Sequence, residues 1–245
     1  MGVAALTLAA GTANAASTLF DAPTKVVRLP LPRDPDNPGA KARVSCFYFP
    51  GFMVKEVDLG EKGAESLSIT SAVRRSGQVG CRRETGSGER VIAPGDWSGY
   101  FTGAKAGYVF FDADDGWNGG MGFAVFSATD GKKVLDDAAK SSFRSIIATP
   151  AGLSLTYTRV FPAPCSLRDP GLDCWSRIKK DTGLTGVAPN CVAAYAREQK
   201  RTPAFAQQVL KDPTVIDYDV KAAIQGGART ITPATGRAIA CRPAD

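Results

Sequence analysis

Short apolar runs at a regular spacing dominate residues 43–163. They are rich in Val, Ile, Phe and Tyr and are separated by Gly, Asp and Ser. In the clearest run, Leu153, Leu155 and Tyr157 fall on one face of a strand, and hydroxyl side chains alternate with them on the other. Because such runs recur about every 8–12 residues with turn signals between them, they predict an antiparallel β-sandwich, or a barrel-like variant of it.

The segment before this region has a different amino-acid composition. Residues 16–42 are rich in Pro, Asp, Lys and Arg, with four prolines between Pro30 and Pro38. Proline supplies no backbone N–H to a sheet ladder, so it is confined to edges and irregular stretches. The pattern predicts an extended lead-in that covers the core or forms a sheet edge.

The last part of the chain, residues 164–245, mixes helical and strand patterns. A helix is predicted over residues 190–200, with Asn190 as its N-cap, and a second one begins at Thr202-Pro203. Residues 215–224 then alternate strictly between apolar and polar side chains and lead into a small β-meander. We therefore expect a disulfide-bonded α+β segment, which is either a subdomain or an extension of the main sheet.

Composition limits the chemistry that is available. The chain has 245 residues, of which 44% are hydrophobic and 22% charged, as in ordinary globular proteins, and it contains no histidine. The missing histidine excludes hydrolases with a Ser-His-Asp or Cys-His arrangement and every His-ligated metal or haem site.

Residues 1–15 resemble the later part of a secretory signal peptide. They carry no charge, include an apolar stretch from Val3 to Ala10, and end in Ala13-Asn14-Ala15, which predicts cleavage after Ala15. The charged beginning of a signal is missing, which we attribute to a truncated or misassigned start; a buried strand or helix is the alternative. The stretch is shorter than the about 20 apolar residues of a membrane span. The prediction is a periplasmic or secreted protein that does not span a membrane.

Six cysteines fit that compartment. An even number in an oxidising environment indicates disulfides, and no C-x-x-C pair suggests a metal site. Although fifteen connectivities are possible, we favour pairing of neighbours. The predicted pairs are Cys46 with Cys81, Cys165 with Cys174, and Cys191 with Cys241.

One stretch has the oxygen ligands that calcium prefers. The candidate ligands are Asp112, Asp114, Asp115 and Asn118, in a glycine-rich turn. Their spacing does not follow an EF-hand loop, and a solvated hairpin turn favours the same residue types for backbone reasons. We prefer the plain turn and keep calcium as the one cofactor hypothesis.

Four aromatic residues form a second candidate site. Trp97, Tyr100, Tyr108 and Trp117 could make a platform that stacks on sugar rings, as in proteins that bind glycans. The alternative is that they are ordinary core residues.

The formal net charge of +6 favours weak attraction to anionic surfaces. Basic residues are dispersed along the chain, and no nucleic-acid recognition motif is present, so nucleic acid is not an expected partner.

Together these features predict an exported, non-catalytic binding or structural module of the cell envelope. We expect it to contact a polymer or a protein through the loops at 112–120 and 164–175. One alternative is an inhibitor of a secreted hydrolase that inserts the loop at 165–174 into its target. Another is a glycan hydrolase with two carboxylates about 5–9.5 Å apart. No catalytic residue is assigned.

Overall fold

Two antiparallel sheets make up most of the protein. The computed structural model describes residues 19–32, 39–71, 79–168, 172–236 and 238–244, so the predicted signal peptide lies outside the described residues. The first sheet has the order β1-β2-β3-β4-β5. Its strands are β1 (Lys25–Pro30), β2 (Arg43–Phe49), β3 (Phe52–Asp58), β4 (Ser66–Ser71) and β5 (Glu89–Val91). The lead-in thus contributes β1, an edge strand.

The second sheet has nine strands, seven of which follow the order β13-β12-β11-β9-β8-β7-β6, while β10 pairs with β11 and β14 with β12. The strands are β6 (Gly99–Lys105), β7 (Tyr108–Trp117), β8 (Gly120–Ser127), β9 (Lys133–Ala139), β10 (Ser145–Thr149), β11 (Gly152–Pro162), β12 (Thr214–Gln225), β13 (Ala228–Pro233) and β14 (Ala240–Pro243). Because β12, β13 and β14 belong to this sheet, the C-terminal strands extend the main sheet.

The interior of the sandwich lies between the two sheets. Val54 and Ile69 of the first sheet join one apolar cluster with Phe111 and Phe126 of the second. The mainly β, antiparallel, sandwich-like fold predicted from the alternation is confirmed.

A second core lies on the other face of the nine-stranded sheet. Phe110 precedes Phe111 and therefore points the opposite way, into a cluster that also contains Ile178, Tyr195 and Val209. These three residues come from the helical part of the chain. The helices are α1 (Leu172–Thr182), α2 (Val192–Arg201) and α3 (Ala206–Val209), with a 3-10 turn at Pro203–Phe205 before α3.

Helix α1 is a third helix where the sequence pattern predicted two. It buries Cys174, Trp175 and Ile178 on one side, which is helical spacing, but the run follows Pro170-Gly171 and the pattern predicted a loop there. Helix α2 lies close to its predicted place. The side chain of Asn190 accepts a hydrogen bond from the Val192 N–H at 3.1 Å, as an N-cap does, although helical geometry starts one residue later.

All six cysteines are oxidised in the predicted neighbour pairs, Cys46–Cys81, Cys165–Cys174 and Cys191–Cys241. Three disulfides are typical of proteins that fold in an oxidising compartment.

A buried carboxylate joins the two sheets. Glu56 of β3 accepts a hydrogen bond of 2.8 Å from the Phe101 N–H, beside an irregularity in the pairing of β6. Burial raises the pKa of Glu56 above its ordinary value, while the hydrogen bond from Phe101 acts in the opposite direction. The ionised form is therefore less stable in the fold than in the unfolded chain.

We expect Glu56→Gln to stabilise the protein more at pH 7 than at about pH 3.5, which lies below the ordinary Glu pKa. Because the folded pKa is raised, the native carboxyl is most favourable below its unfolded pKa, and that advantage is lost as the pH rises through the folded pKa. The glutamine oxygen can accept the same hydrogen bond without ionising. Urea unfolding of both proteins at the two pH values measures the difference, with exposed Glu61→Gln as the control. An equal difference at both pH values would contradict the prediction.

Candidate functional site

The β7–β8 hairpin of the second sheet ends in a short turn, and we call residues 113–121 the hairpin tip. Trp117 pairs with Gly120 across a two-residue turn. The turn residues Asn118 and Gly119 have φ of 51° and 63°, and a turn with two positive φ values matches the twist of the flanking strands. The turn is therefore a tight and well-defined one.

Arg242 of β14 anchors this turn. Its Nη2 donates to the backbone carbonyl of Asn118, and its Nη1 donates to Oδ2 of Asp217 at 2.6 Å. On the other side, a Cβ on Gly120 would lie 2.8 Å from a methyl carbon of Val160, so only glycine allows this close approach to β11. The hairpin tip is thus pinned against β11 and β14.

The anchor depends on a buried carboxylate. The Asp217 side chain is only 2% exposed, and its Oδ2 lies 2.6 Å from both Lys140 Nζ and Arg242 Nη1. Two cations around one buried carboxylate offset its loss of hydration. The arrangement fixes Arg242 and leaves Lys140 half-exposed beside the hairpin tip.

The hairpin tip presents one large apolar ring to solvent. Trp117 is 66% exposed. Met121 is exposed as well, but it pairs with Gly116, the neighbour of Trp117, so its side chain lies on the other face of the hairpin. Nearby, Asp115 forms an exposed ion pair with Lys62, which lowers the pKa of Asp115 and raises that of Lys62. The surface therefore has an apolar centre and a charged rim.

The four predicted calcium ligands all lie on this hairpin but have different surroundings. Asp112 is half-buried and bonded to Thr102, Asp115 pairs with Lys62, and Asn118 is buried in the turn. Asp114 approaches Gly63. Among the residues that the structure describes, no group of three or more His, Cys, Asp or Glu side chains could hold a metal ion. Calcium binding stays a prediction.

The four predicted aromatic residues do not share one exposed surface. Trp97 packs against the core between the sheets, and the Tyr100 hydroxyl accepts from the Gly63 N–H and donates to the Glu61 carbonyl, both at 2.8 Å. Tyr108 lies at the other end of β7, about 30 Å from Trp117 at the usual rise per residue. Trp117 is the member of the set that faces solvent.

Asp112 also lines a small cavity of about 180 Å³ together with Phe20, Phe143 and Ser141. Burial raises the pKa of Asp112, opposed by its hydrogen bond with Thr102. Asp112 is the one carboxylate among the residues lining this cavity. Hydrolysis of a glycosidic bond by a carboxylate pair needs a second one on the other side of the sugar.

The second predicted contact loop, 164–175, is held close to the body where it is described. Leu167 is buried, and its N–H donates to Thr214 Oγ1 at 2.7 Å, while Ser166 Oγ donates to the Tyr195 hydroxyl at 3.1 Å. Residues 169–171 lie outside the described residues.

Within the described ranges, no helix is long and apolar enough to cross a membrane. No protein-family model, curated protein or solved structure matches this chain.

Proposed function

We propose that this chain is an exported, non-catalytic binding module of the cell envelope that contacts a protein partner through the hairpin tip. The observation that carries the proposal is Trp117, a solvent-facing indole on a turn that Arg242 holds in place. The three disulfides support an extracytoplasmic location.

A single exposed tryptophan is an effective anchor for a protein interface. Tryptophan is enriched among the few residues that carry most of the binding energy, and these residues sit inside a polar rim that excludes water. Trp117 forms the apolar centre of this surface, while Lys62, Asp115 and Lys140 surround it with charge. Because the turn is already fixed, little conformational entropy is lost when a partner binds.

A protein partner fits this surface better than a glycan does. Stacking along a sugar chain is strongest with several exposed rings in one plane. Trp97 packs in the core and the Tyr100 hydroxyl is hydrogen-bonded to the backbone. Tyr108 lies about 30 Å from Trp117 along β7. One ring with charged neighbours is the usual composition of a protein hot spot.

We expect Trp117→Ala to weaken binding to the partner at least about 30-fold, which corresponds to the roughly 2 kcal/mol typical of a hot spot. The free energy of unfolding should change by no more than about 0.5 kcal/mol, because the side chain is mostly exposed. The partner is to be isolated from an extract of the cell envelope with the immobilised native protein. The affinity of each variant for the purified partner is then measured by calorimetry.

Ile147→Ala is the matched control, because Ile147 is an apolar side chain, 56% exposed, on β10 and away from the hairpin tip. It should bind as the native protein does. Equal binding by Trp117→Ala and the native protein would overturn the proposal. Binding of purified envelope polysaccharide that depends on Trp117 would replace the protein partner with a polymer.

A further inference from the structure

Helix α2 turns a basic face toward solvent. Tyr195 is buried in the core below the helix, and the exposed positions fall on the opposite side at helical spacing. They are Val192, Ala193, Ala196, Arg197, Lys200 and Arg201. We call the first five of these residues, together with Phe205, the basic helix face.

Several cations of the sheets are paired with carboxylates, whereas two cations of this face are not. In the sheets, basic side chains such as Arg43, Lys105 and Arg229 pair with carboxylates at 2.8–3.0 Å. Arg197 and Lys200 form no ion pair or hydrogen bond with any residue in the described part of the chain. Glu198, the one carboxylate on α2, is already bonded to Arg201 at 2.9 Å.

The helical segment around α2 is positively charged as a whole. Residues 163–213 contain eight Lys and Arg against five Asp and Glu, which is half of the protein's net charge of +6 in about a fifth of its length. This segment therefore carries more than its share of the excess positive charge.

Apolar side chains accompany these cations. Val192 at the start of α2 is 54% exposed, and Phe205 in the following 3-10 turn is 67% exposed. The turn is fixed to the helix, because the Thr202 N–H donates to the Glu198 carbonyl at 2.9 Å and the Gln199 side chain donates to the Ala206 carbonyl at 3.1 Å. Phe205 therefore stays in place at the end of the basic helix face.

We propose that the basic helix face docks on the surface of an anionic lipid bilayer. Cations are attracted to the head groups, while Phe205 and Val192 enter the boundary between head groups and acyl chains, as in helices that lie in the plane of a membrane. A soluble polyanion would use the cations but not the apolar side chains, so the combination favours lipid. None of its residues belongs to the hairpin tip, and the inference does not rest on the proposed function.

The test is co-sedimentation of the full chain with vesicles. One set contains phosphatidylcholine alone, and the other contains equal amounts of phosphatidylcholine and phosphatidylglycerol. We expect binding to the anionic set only, with loss at about 1 M salt, where the screening length is about 3 Å. Each basic side chain near an anionic surface contributes a factor of about five, so R197Q/K200Q should bind about 25-fold more weakly. Phe205→Ser should bind about tenfold more weakly, because an apolar side chain then leaves the interface.

Two controls separate a local site from general charge. K132Q/K221Q removes the same net charge at exposed positions in the β8–β9 connection and on β12 and should bind within about twofold of the native protein. Ile147→Ser removes an exposed apolar side chain elsewhere and should have no effect. Melting temperatures verify that all variants are folded.

Three results would overturn the proposal. The first is no binding to phosphatidylglycerol vesicles, and the second is equal loss in R197Q/K200Q and K132Q/K221Q. The third is full binding by Phe205→Ser together with competition by soluble polyphosphate, which would indicate a hydrophilic anionic polymer.

Discussion

Replacing Arg159 by Met should destabilise the protein by about 3–5 kcal/mol, because the substitution leaves a buried carboxylate without its cation. Arg159 Nε donates to Asp137 Oδ1 at 2.8 Å, and Tyr157 donates to Asp137 Oδ2 at 2.5 Å. Arg159 Nη1 also donates to the Tyr218 hydroxyl at 3.0 Å. Burial raises the pKa of both tyrosines, so both remain hydroxyl donors. Removal of Arg159 therefore affects every member of the network.

A second variant distinguishes the loss of a charge partner from the loss of packing. In R159M/D137N both members are uncharged, and the asparagine oxygen can still accept the bond from Tyr157. We expect this variant to regain more than half of the lost free energy of unfolding, as measured by urea denaturation. Arg83→Met, beside the exposed Glu65 at 3.2 Å, is the control and should cost less than about 1 kcal/mol. Equal stability of R159M and R159M/D137N would show that packing, and not charge, dominates.

The strands were predictable because alternation depends on neighbours in sequence. The apolar runs RVSCFYF and FMVKEVD in the sequence coincide with β2 and β3. Each has apolar side chains at the spacing of a strand and a turn signal, Pro50-Gly51, between them. Such a local pattern is enough to predict a strand without knowledge of the rest of the fold.

Helix α1 was not predictable in the same way. Its apolar residues Cys174, Trp175 and Ile178 occupy one side of only three turns, and the prolines and Pro170-Gly171 before it are strong signals for a loop. What stabilises the helix is the apolar cluster under it, which depends on distant parts of the chain. The Cys165–Cys174 disulfide adds a local link across nine positions. Tertiary packing thus decided the local structure.

The candidate site was predicted only in part, because part of it also depends on contacts between distant segments. The hairpin tip and Trp117 follow from local turn and aromatic signals. Arg242 lies more than a hundred positions further along the chain, and its role depends on β14 pairing with β12. Strand alternation shows which face a side chain occupies, but not which distant strand lies beside it. For that reason the anchoring of the turn could not be derived from the sequence.

Removing the Cys191–Cys241 disulfide, as C191S/C241S, should destabilise the protein by about 4 kcal/mol. The bond closes a loop with a sequence separation of 50, and the loss of loop-closure entropy in the unfolded chain accounts for most of the effect. C165S/C174S opens a loop with a separation of only 9 and should cost about 2.6 kcal/mol by the same relation. Urea unfolding gives both values, and a larger loss for the short loop would contradict the entropic explanation.

The same variant tests how the hairpin tip is held. Cys241 directly precedes Arg242, so the disulfide ties the anchor of the turn to the start of α2. In C191S/C241S we expect β14 to separate more often from β12, which would free Asn118 and give Trp117 greater motion. Faster hydrogen exchange of the Trp117 and Gly120 amides in C191S/C241S, but not in C165S/C174S, would support this coupling. Unchanged exchange would show that the pairing of β14 with β12 and the bond from Arg242 to Asp217 hold the hairpin tip without help from the disulfide.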